Sequence, residues 1–302
     1  MIVQIYEIQT PQEAEKCIEV GVDHIGSVLL SEEDWKLPEL RVTIRVSDGT
    51  SVKNSIIPLF HDVDIISRAL DYYEPDFVHL CESLTDEQGA LKDLGRYIEA
   101  QRKIRERFPE IGIIRSIPIS MDGIELEFPT FEIARELEDV PDLFLTDTWL
   151  GREPVEGFIG ITGRMCDRKI ARELVTRSGI PIILGGGLSP ENVYEALIDV
   201  SPAGADSCTL TNMLDKKGSP IRFQKDFAKV EKFVKETRRA EKMLPDRKKQ
   251  LRREIEELKE LLSDRRDALP AHSIHPRQIQ AIEELEDKIA AKEKALAQAM
   301  SI

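Results

Sequence analysis

The sequence predicts an α/β protein: a (β/α)8 TIM barrel followed by a C-terminal antiparallel helical hairpin. Three observations carry this. Eight short β-branched runs alternate with amphipathic stretches over roughly the first 240 residues, the length of an ordinary barrel. The richest glycine turn, Gly185-Gly186-Gly187, follows the seventh run, where barrels commonly hold phosphate. The composition then breaks: beyond Arg238 there is no Gly, Phe, Tyr or Trp, and Glu, Lys, Arg, Leu and Ala dominate.

The runs expected as strands lie at 3–8, 24–29, 55–60, 77–80, 112–118, 143–146, 181–184 and 206–210. Each has the β-branched content of a buried strand. Helical patterning follows most of them, most clearly at 11–20, 62–73, 86–108, 168–178, 190–199 and 223–239. The second and fifth connections are less regular. Residues 41–46, Arg-Val-Thr-Ile-Arg-Val before Ser47-Asp48-Gly49, read as an extra strand and turn. A doubly wound sheet is the rival fold. It would place its glycine-rich turn after the first strand, where this chain has Gln9-Thr10-Pro11.

The tail supplies the hairpin. Leu251, Ile255, Leu258 and Leu262 repeat at spacings of 4, 3 and 4, a coiled-coil seam. The segment Ala268-Leu269-Pro270-Ala271-His272-Ser273-Ile274-His275-Pro276 breaks that helix. A second stripe follows at Ile279, Ile282, Leu285, Ile289 and Leu296. Such narrow stripes need a partner surface: each other, the first domain, a second subunit or another protein. His272 and His275 are loop histidines with no Cys or carboxylate beside them in the link, so no metal site is expected. The domains are therefore read as 1–240, the barrel, and 241–302, the hairpin.

Of 302 residues, 42 are Lys or Arg and 56 are Asp or Glu, a net charge of −14. The tail from Arg238 has 15 basic and 13 acidic residues, which leaves the barrel near −16. That balance disfavours nucleic acid and anionic membranes as partners. No apolar run reaches membrane-spanning length. Cys17, Cys81, Cys166 and Cys208 are scattered, with no CxxC pair. Neither a disulfide framework nor a zinc site is expected, and a reducing cytoplasm is the expected setting.

The glycine turn runs into Leu188-Ser189-Pro190. Glycines let backbone amides approach an oxyanion. Ser189 suits a helix cap and Pro190 its first turn. The eighth strand region, Gly204-Ala205-Asp206-Ser207-Cys208-Thr209-Leu210, adds small hydroxyl residues. An acidic barrel that grips phosphate through amides needs no basic patch.

Several segments together resemble the phosphoribosylanthranilate isomerase family over about 230 residues, a barrel's length. Ile183-Leu184-Gly185-Gly186-Gly187-Leu188-Ser189-Pro190-Glu191-Asn192-Val193 resembles its phosphate segment. Leu143-Phe144-Leu145-Thr146-Asp147-Thr148 resembles its sixth strand, and Gly160-Ile161-Thr162-Gly163 the loop that follows. Asp76-Phe77-Val78-His79-Leu80-Cys81 resembles its fourth strand, and Gly21-Val22-Asp23-His24-Ile25-Gly26 its G-A-D-x-x-G.

The resemblance implies an enzyme, an aldose–ketose intramolecular isomerase of tryptophan biosynthesis. The reaction is an Amadori rearrangement of a phosphorylated ribosylamine, without metal or organic cofactor. Asp147 falls at the family's general acid. Gly185, Gly186, Gly187, Gly163, Cys208 and Thr209 fall in its phosphate-binding segments. The chain departs where the family keeps its base, a Cys followed by Gly: here stand Tyr6 and Glu7. Strand alternation sends Gln4 and Tyr6 to one face and Glu7 to the other. Tyr6 and Glu7 are the candidate bases at that position, although tyrosine's unperturbed pKa is about 10. The family's Arg after the second strand has no counterpart in Leu30-Ser31-Glu32-Glu33-Asp34-Trp35, and its S-S-G becomes Cys208-Thr209-Leu210. Two other functions stay open: a barrel acting on another phosphorylated metabolite, and a non-catalytic sensor or assembly protein.

Overall fold

A computed structural model describes residues 1–124, 127–267 and 276–300. Eight parallel strands close into a barrel in sequence order. They are β1 (Ile2–Ile5), β2 (His24–Leu29), β3 (Lys53–Pro58), β4 (Phe77–Leu80), β5 (Gly112–Ser120), β6 (Leu143–Trp149), β7 (Ile182–Leu184) and β8 (Gly204–Ser207). Between them lie α1 (Pro11–Glu19), α2 (Pro38–Arg45), α3 (Val63–Tyr73), α4 (Gly95–Arg107), α5 (Thr130–Leu137), α6 (Arg168–Arg177) and α7 (Val193–Val200). Closure pairs β1 with β8, setting Ile2 opposite Gly204 and Gln4 opposite Asp206.

Local chemistry starts several of the helices. The Thr10 hydroxyl accepts from Glu13 N at the head of α1. Asp62 and Asp167 each accept two amides at the heads of α3 and α6. These contacts satisfy amides that a helix start otherwise leaves open. The main apolar layer lies between strands and helices, with Leu29, Ile56 and Val78 against Leu40, Ile66 and Leu70. Inside the barrel, Tyr6, Ile114, Leu145 and Ile183 pack together.

The structure corrects three expected elements: the helix expected at 86–108 forms only as α4 from Gly95, after a loop in which Thr85 bridges Leu91, and two others differ more. Residues 41–46 are not an extra strand; they belong to α2. Pro38 opens this helix, and Leu40, Thr43 and Ile44 bury one face at helical spacing while Val42 is exposed. Burial on that face overrides the β propensity of Val42, Thr43 and Ile44. The helix expected from residue 223 starts later. After a short 3-10 turn at Thr209–Thr211, β9 (Asn212–Leu214) pairs antiparallel with β10 (Pro220–Lys225). Helix α8 (Phe227–Asp267) then begins.

The chain divides into two units, Met1–Arg239 and Ala240–Ile302. In the second, the later part of α8 runs antiparallel to α9 (Pro276–Met300). Leu262, Leu285 and Ile289 are buried together, with Leu258 and Ile282 beside them. Ion pairs join Arg266 to Glu286, Lys259 to Glu293 and Lys292 to Glu254. The link with His272 and His275 lies outside the described residues, as does the side chain of Leu251. No helix among the described residues is long and apolar enough to cross a membrane.

Candidate active site

Two recesses meet at the C-terminal rim of the barrel. The first is a mainly apolar recess. Val28, Ile57, Leu59, Val155, Phe158 and Ile159 form much of its wall. The second is lined by Thr162, Gly163, Gly186, Gly187, Ser207 and Thr209. Asp147, Ile161, Asp206 and Cys208 line both. Asp147 and Asp206 thus stand where an apolar room opens into a polar one.

Asp147 is the one half-buried position of β6, between buried Thr146 and Thr148. Its Oδ1 accepts the Thr148 amide at 2.8 Å. Gly160 lies so close that a Cβ there would stand 2.4 Å from Asp147 Oδ2. Burial pushes the Asp147 carboxyl up to about 7; the Thr148 amide opposes this and Glu153 adds to it. Asp206 leaves β8 beside β1, and Gln4 Nε2 donates to its Oδ1 at 3.1 Å. Burial also raises Asp206 to about 7. Gln4 and Lys225 pull it back, while the charge of Asp147 adds to the rise. A buried carboxylate loses hydration, and two neighbours resist ionising together.

A polar chain fills the lumen below. Gln4 Oε1 meets His24 Nδ1 at 3.3 Å. The Tyr6 hydroxyl meets Ser55 Oγ at 3.0 Å and His79 Nδ1 at 2.8 Å. His79 Nε2 in turn meets Ser116 Oγ at 2.8 Å. Burial lowers His24 to about 4 and His79 to about 3, so both rings are neutral near pH 7. Burial moves the Tyr6 hydroxyl well above its ordinary value.

Glu7 does not follow strand alternation. The strand ends at Ile5, and Glu7 takes a left-handed backbone with φ of 64°. This turn brings Tyr6 and Glu7 into the lining of the same chamber. Glu7 is buried, yet its carboxyl lies below the ordinary value. Burial alone would raise it, and Arg222, Lys225 and Asn212 outweigh that. Arg222 Nε donates to Glu7 Oε1 at 2.6 Å and Asn212 Nδ2 to Oε2 at 3.1 Å.

The glycine turn divides in two. The Gly185 amide donates to Thr146 Oγ1 at 3.0 Å, and Gly185 is not in the recess lining. Gly186 and Gly187, with φ of 86° and 70°, do line it. Among the described residues their amides have no acceptor within the chain. A side chain at Gly186 would meet Thr148 Oγ1 at 2.5 Å, and one at Gly187 the Arg164 carbonyl carbon at 2.4 Å. Here only glycine permits both the backbone angle and the close approach. Gly163, Cys208 and Thr209 face the same recess. Burial raises the Cys208 thiol, so it is no ready thiolate. Among the described residues no group of three His, Cys, Asp or Glu could hold a metal.

Asp206, His79 and Arg222 were not singled out from the sequence. Asp206 had a signal, an acidic residue within the eighth-strand run. Arg222 had none, because it lies in a stretch read as leading into a helix.

The carboxyl shifts have a measurable consequence. Asp147 rises from 3.8 unfolded to about 7 folded. Between these values the folded chain holds the extra proton, so stability falls as pH rises through this window and levels off above it. Asp147→Asn should therefore gain stability relative to the parent at pH 8, by roughly 1–2 kcal/mol, and little at pH 4. Urea denaturation at both pH values checks this. An equal change at both would contradict the buried titration.

No family model matches the chain. Comparison with known proteins finds N-(5'-phosphoribosyl)anthranilate isomerase 1 of Methanosarcina mazei, 26% identical over 249 residues, 80% of this chain and 97% of that protein. The isomerase of Methanosarcina acetivorans is 25% identical over 241 residues, 78% and 92% of the two chains. Among solved structures, the phosphoribosyl anthranilate isomerase of Thermotoga maritima superposes with a TM-score of 0.56 at 24% identity, covering 79% of this chain and 99% of that one. The Pyrococcus furiosus isomerase gives 0.54 at 19% identity, with the same coverage. These structures speak for the fold, and the sequence relatives for descent. Over about four fifths of its length the chain is similar in sequence to phosphoribosylanthranilate isomerases, and it shares their barrel topology.

Proposed function

We propose that this barrel catalyses the Amadori-type isomerisation of N-(5'-phosphoribosyl)anthranilate to the corresponding aminodeoxyribulose phosphate. One observation carries the reading: a polar recess with open glycine amides and an apolar chamber meet at two carboxyls that both titrate near neutrality. The substrate has this layout, with phosphate at one end, an aromatic ring at the other and the reacting carbons between. Gly186, Gly187, Gly163, Ser207 and Thr209 receive the phosphate, and the apolar wall takes the ring.

Asp147 and Asp206 divide the proton work. A pair of neighbouring carboxyls near pH 7 holds about one proton between them. Gln4 and Lys225 favour the charged form of Asp206. Glu153 favours the neutral form of Asp147. Asp147 therefore carries the proton and gives it to the furanose ring oxygen as the C1–O bond breaks. The C1–O electrons leave with the oxygen, and the lone pair on nitrogen forms the C1=N bond of an iminium. Asp206 then takes the C2 proton, and the C–H electrons neutralise the iminium as an enol-amine, which tautomerises to the ketone. One proton is given and one is taken, so no oxidant or reductant enters.

The base role moves to Asp206 because the groups at the family's Cys position are poorly suited. Tyr6 has a pKa far above neutral and a hydroxyl engaged by Ser55 and His79. Glu7 is a weak base committed to Arg222 and Asn212.

Growth of a tryptophan auxotroph that lacks this isomerase, together with turnover by the purified protein, tests the assignment. Wild type should restore growth. Asp147→Asn and Asp206→Asn should each lose about 10²–10⁴ in kcat, the scale of a lost general acid or base. Tight binding of the product without turnover would favour a metabolite sensor, and neither binding nor growth would favour another substrate.

The phosphate recess is best probed at Thr209, because any side chain at Gly186 meets Thr148 Oγ1. Thr209→Asp places a carboxylate in the recess without a backbone demand. It should weaken binding of the phosphorylated product by ~10-fold or more through like-charge repulsion. Calorimetry showing unchanged affinity in the folded variant would remove the phosphate from this recess.

A further inference from the structure

We infer that Arg222 recognises the carboxylate on the substrate's aromatic ring, and that the β9–β10 hairpin is the element that sets specificity for it. The inference rests on the isomerase reading and adds a recognition residue to it. Among the described residues that line the apolar chamber, Arg222 is the one cation. Its Nε is held by Glu7 Oε1 at 2.6 Å, while its Nη2 is buried with no hydrogen-bond partner. A buried guanidinium nitrogen without an acceptor is costly, and an anion that reaches it removes that cost. Glu7 engages the guanidinium at Nε, which leaves other N–H donors of the planar fork for a second carboxylate.

The surroundings fit a carboxylate on a ring. The chamber wall is aliphatic and aromatic, with Val28, Leu59 and Phe158 available to a flat apolar group. The segment after β2 cannot serve a carboxylate, because Glu32, Glu33 and Asp34 would repel it. Attraction must come from another side of the rim, and the hairpin supplies it. Phe223 of β10, at φ of 61°, and Glu7 just after β1, at 64°, both adopt the left-handed backbone that β-carbon-bearing residues avoid. Phe223 N also donates to Glu7 Oε2 at 3.4 Å. This pair of unfavourable conformations holds Glu7 and Arg222 in register, a cost that positioning an anion receptor accounts for.

The test uses two stable ligands: reduced 1-(o-carboxyphenylamino)-1-deoxyribulose 5-phosphate and its counterpart without the carboxyl. Calorimetry on the full chain should show wild type preferring the carboxylated ligand by ~10–100-fold, the worth of a charge-assisted hydrogen-bonded pair. Arg222→Met should abolish that preference by weakening the carboxylated ligand alone. Arg222→Lys should restore part of it. Glu7→Gln/Arg222→Met removes both charges of the pair, and serves if the single variant fails to fold. A preference that survives in Arg222→Met, or an equal loss for both ligands, would overturn the inference. If wild type binds neither ribulose phosphate, the isomerase reading fails. Anthranilate alone then decides on Arg222: binding that depends on Arg222 supports the receptor, and binding indifferent to it, or none, overturns it.

Discussion

Closure of the barrel between its first and last strands is the constraint on which the site depends. The register that sets Gln4 opposite Asp206 lets one amide side chain bridge Asp206 on β8 and His24 on β2. It thereby holds the buried Asp206 carboxyl by one of its oxygens. Asp147 reaches the same region from β6, so two carboxyls meet across two recesses with little compensating charge. Burial that destabilises each charge is also what keeps a proton available near neutral pH. The stability lost as pH rises from about 4 to about 7 and the acid–base capacity are one physical effect.

A second arrangement sits beside the first and uses the opposite strategy. Glu7 is buried and kept charged by Arg222, Lys225 and Asn212, whereas Asp147 and Asp206 are buried and pushed toward neutrality. One pocket wall thus contains a stable ion pair and a titrating pair. Environments that push carboxyl pKa values apart are how a site separates binding from proton transfer. Below them, the neutral His79 and the Tyr6 hydroxyl form a lumen network that supports the rim without exchanging protons near pH 7.

The barrel was legible in the sequence because its signals are local. Alternating runs, the glycine turn at 185–187 and the loss of glycine beyond Arg238 each lie within short windows. The antiparallel pairing in the tail was visible in the spacing of Leu258, Leu262, Ile282, Leu285 and Ile289. Asp147 was named only through the resemblance of its strand segment to the isomerases, and its strand runs on through buried Thr148 and Trp149. The illegible parts were those made by long-range closure. Gln4 and Asp206 are 202 positions apart, and Glu7 and Arg222 are 215 apart. Alternation also misplaced Glu7, because a left-handed residue at the strand end redirects the chain. Helix α2 was hidden because its β-branched residues mimic a strand until the buried face is known.

The central claim is that Asp147 and Asp206 share a proton near neutrality, with Asp147 holding it. A titration of their side-chain carboxyl ¹³C shifts by nuclear magnetic resonance, assigned with Asp147→Asn and Asp206→Asn, measures this directly. The account predicts two macroscopic steps, the last proton leaving near pH 7 and residing mainly on Asp147. Full ionisation of both carboxyls at the ordinary aspartate value of about 4 would contradict it.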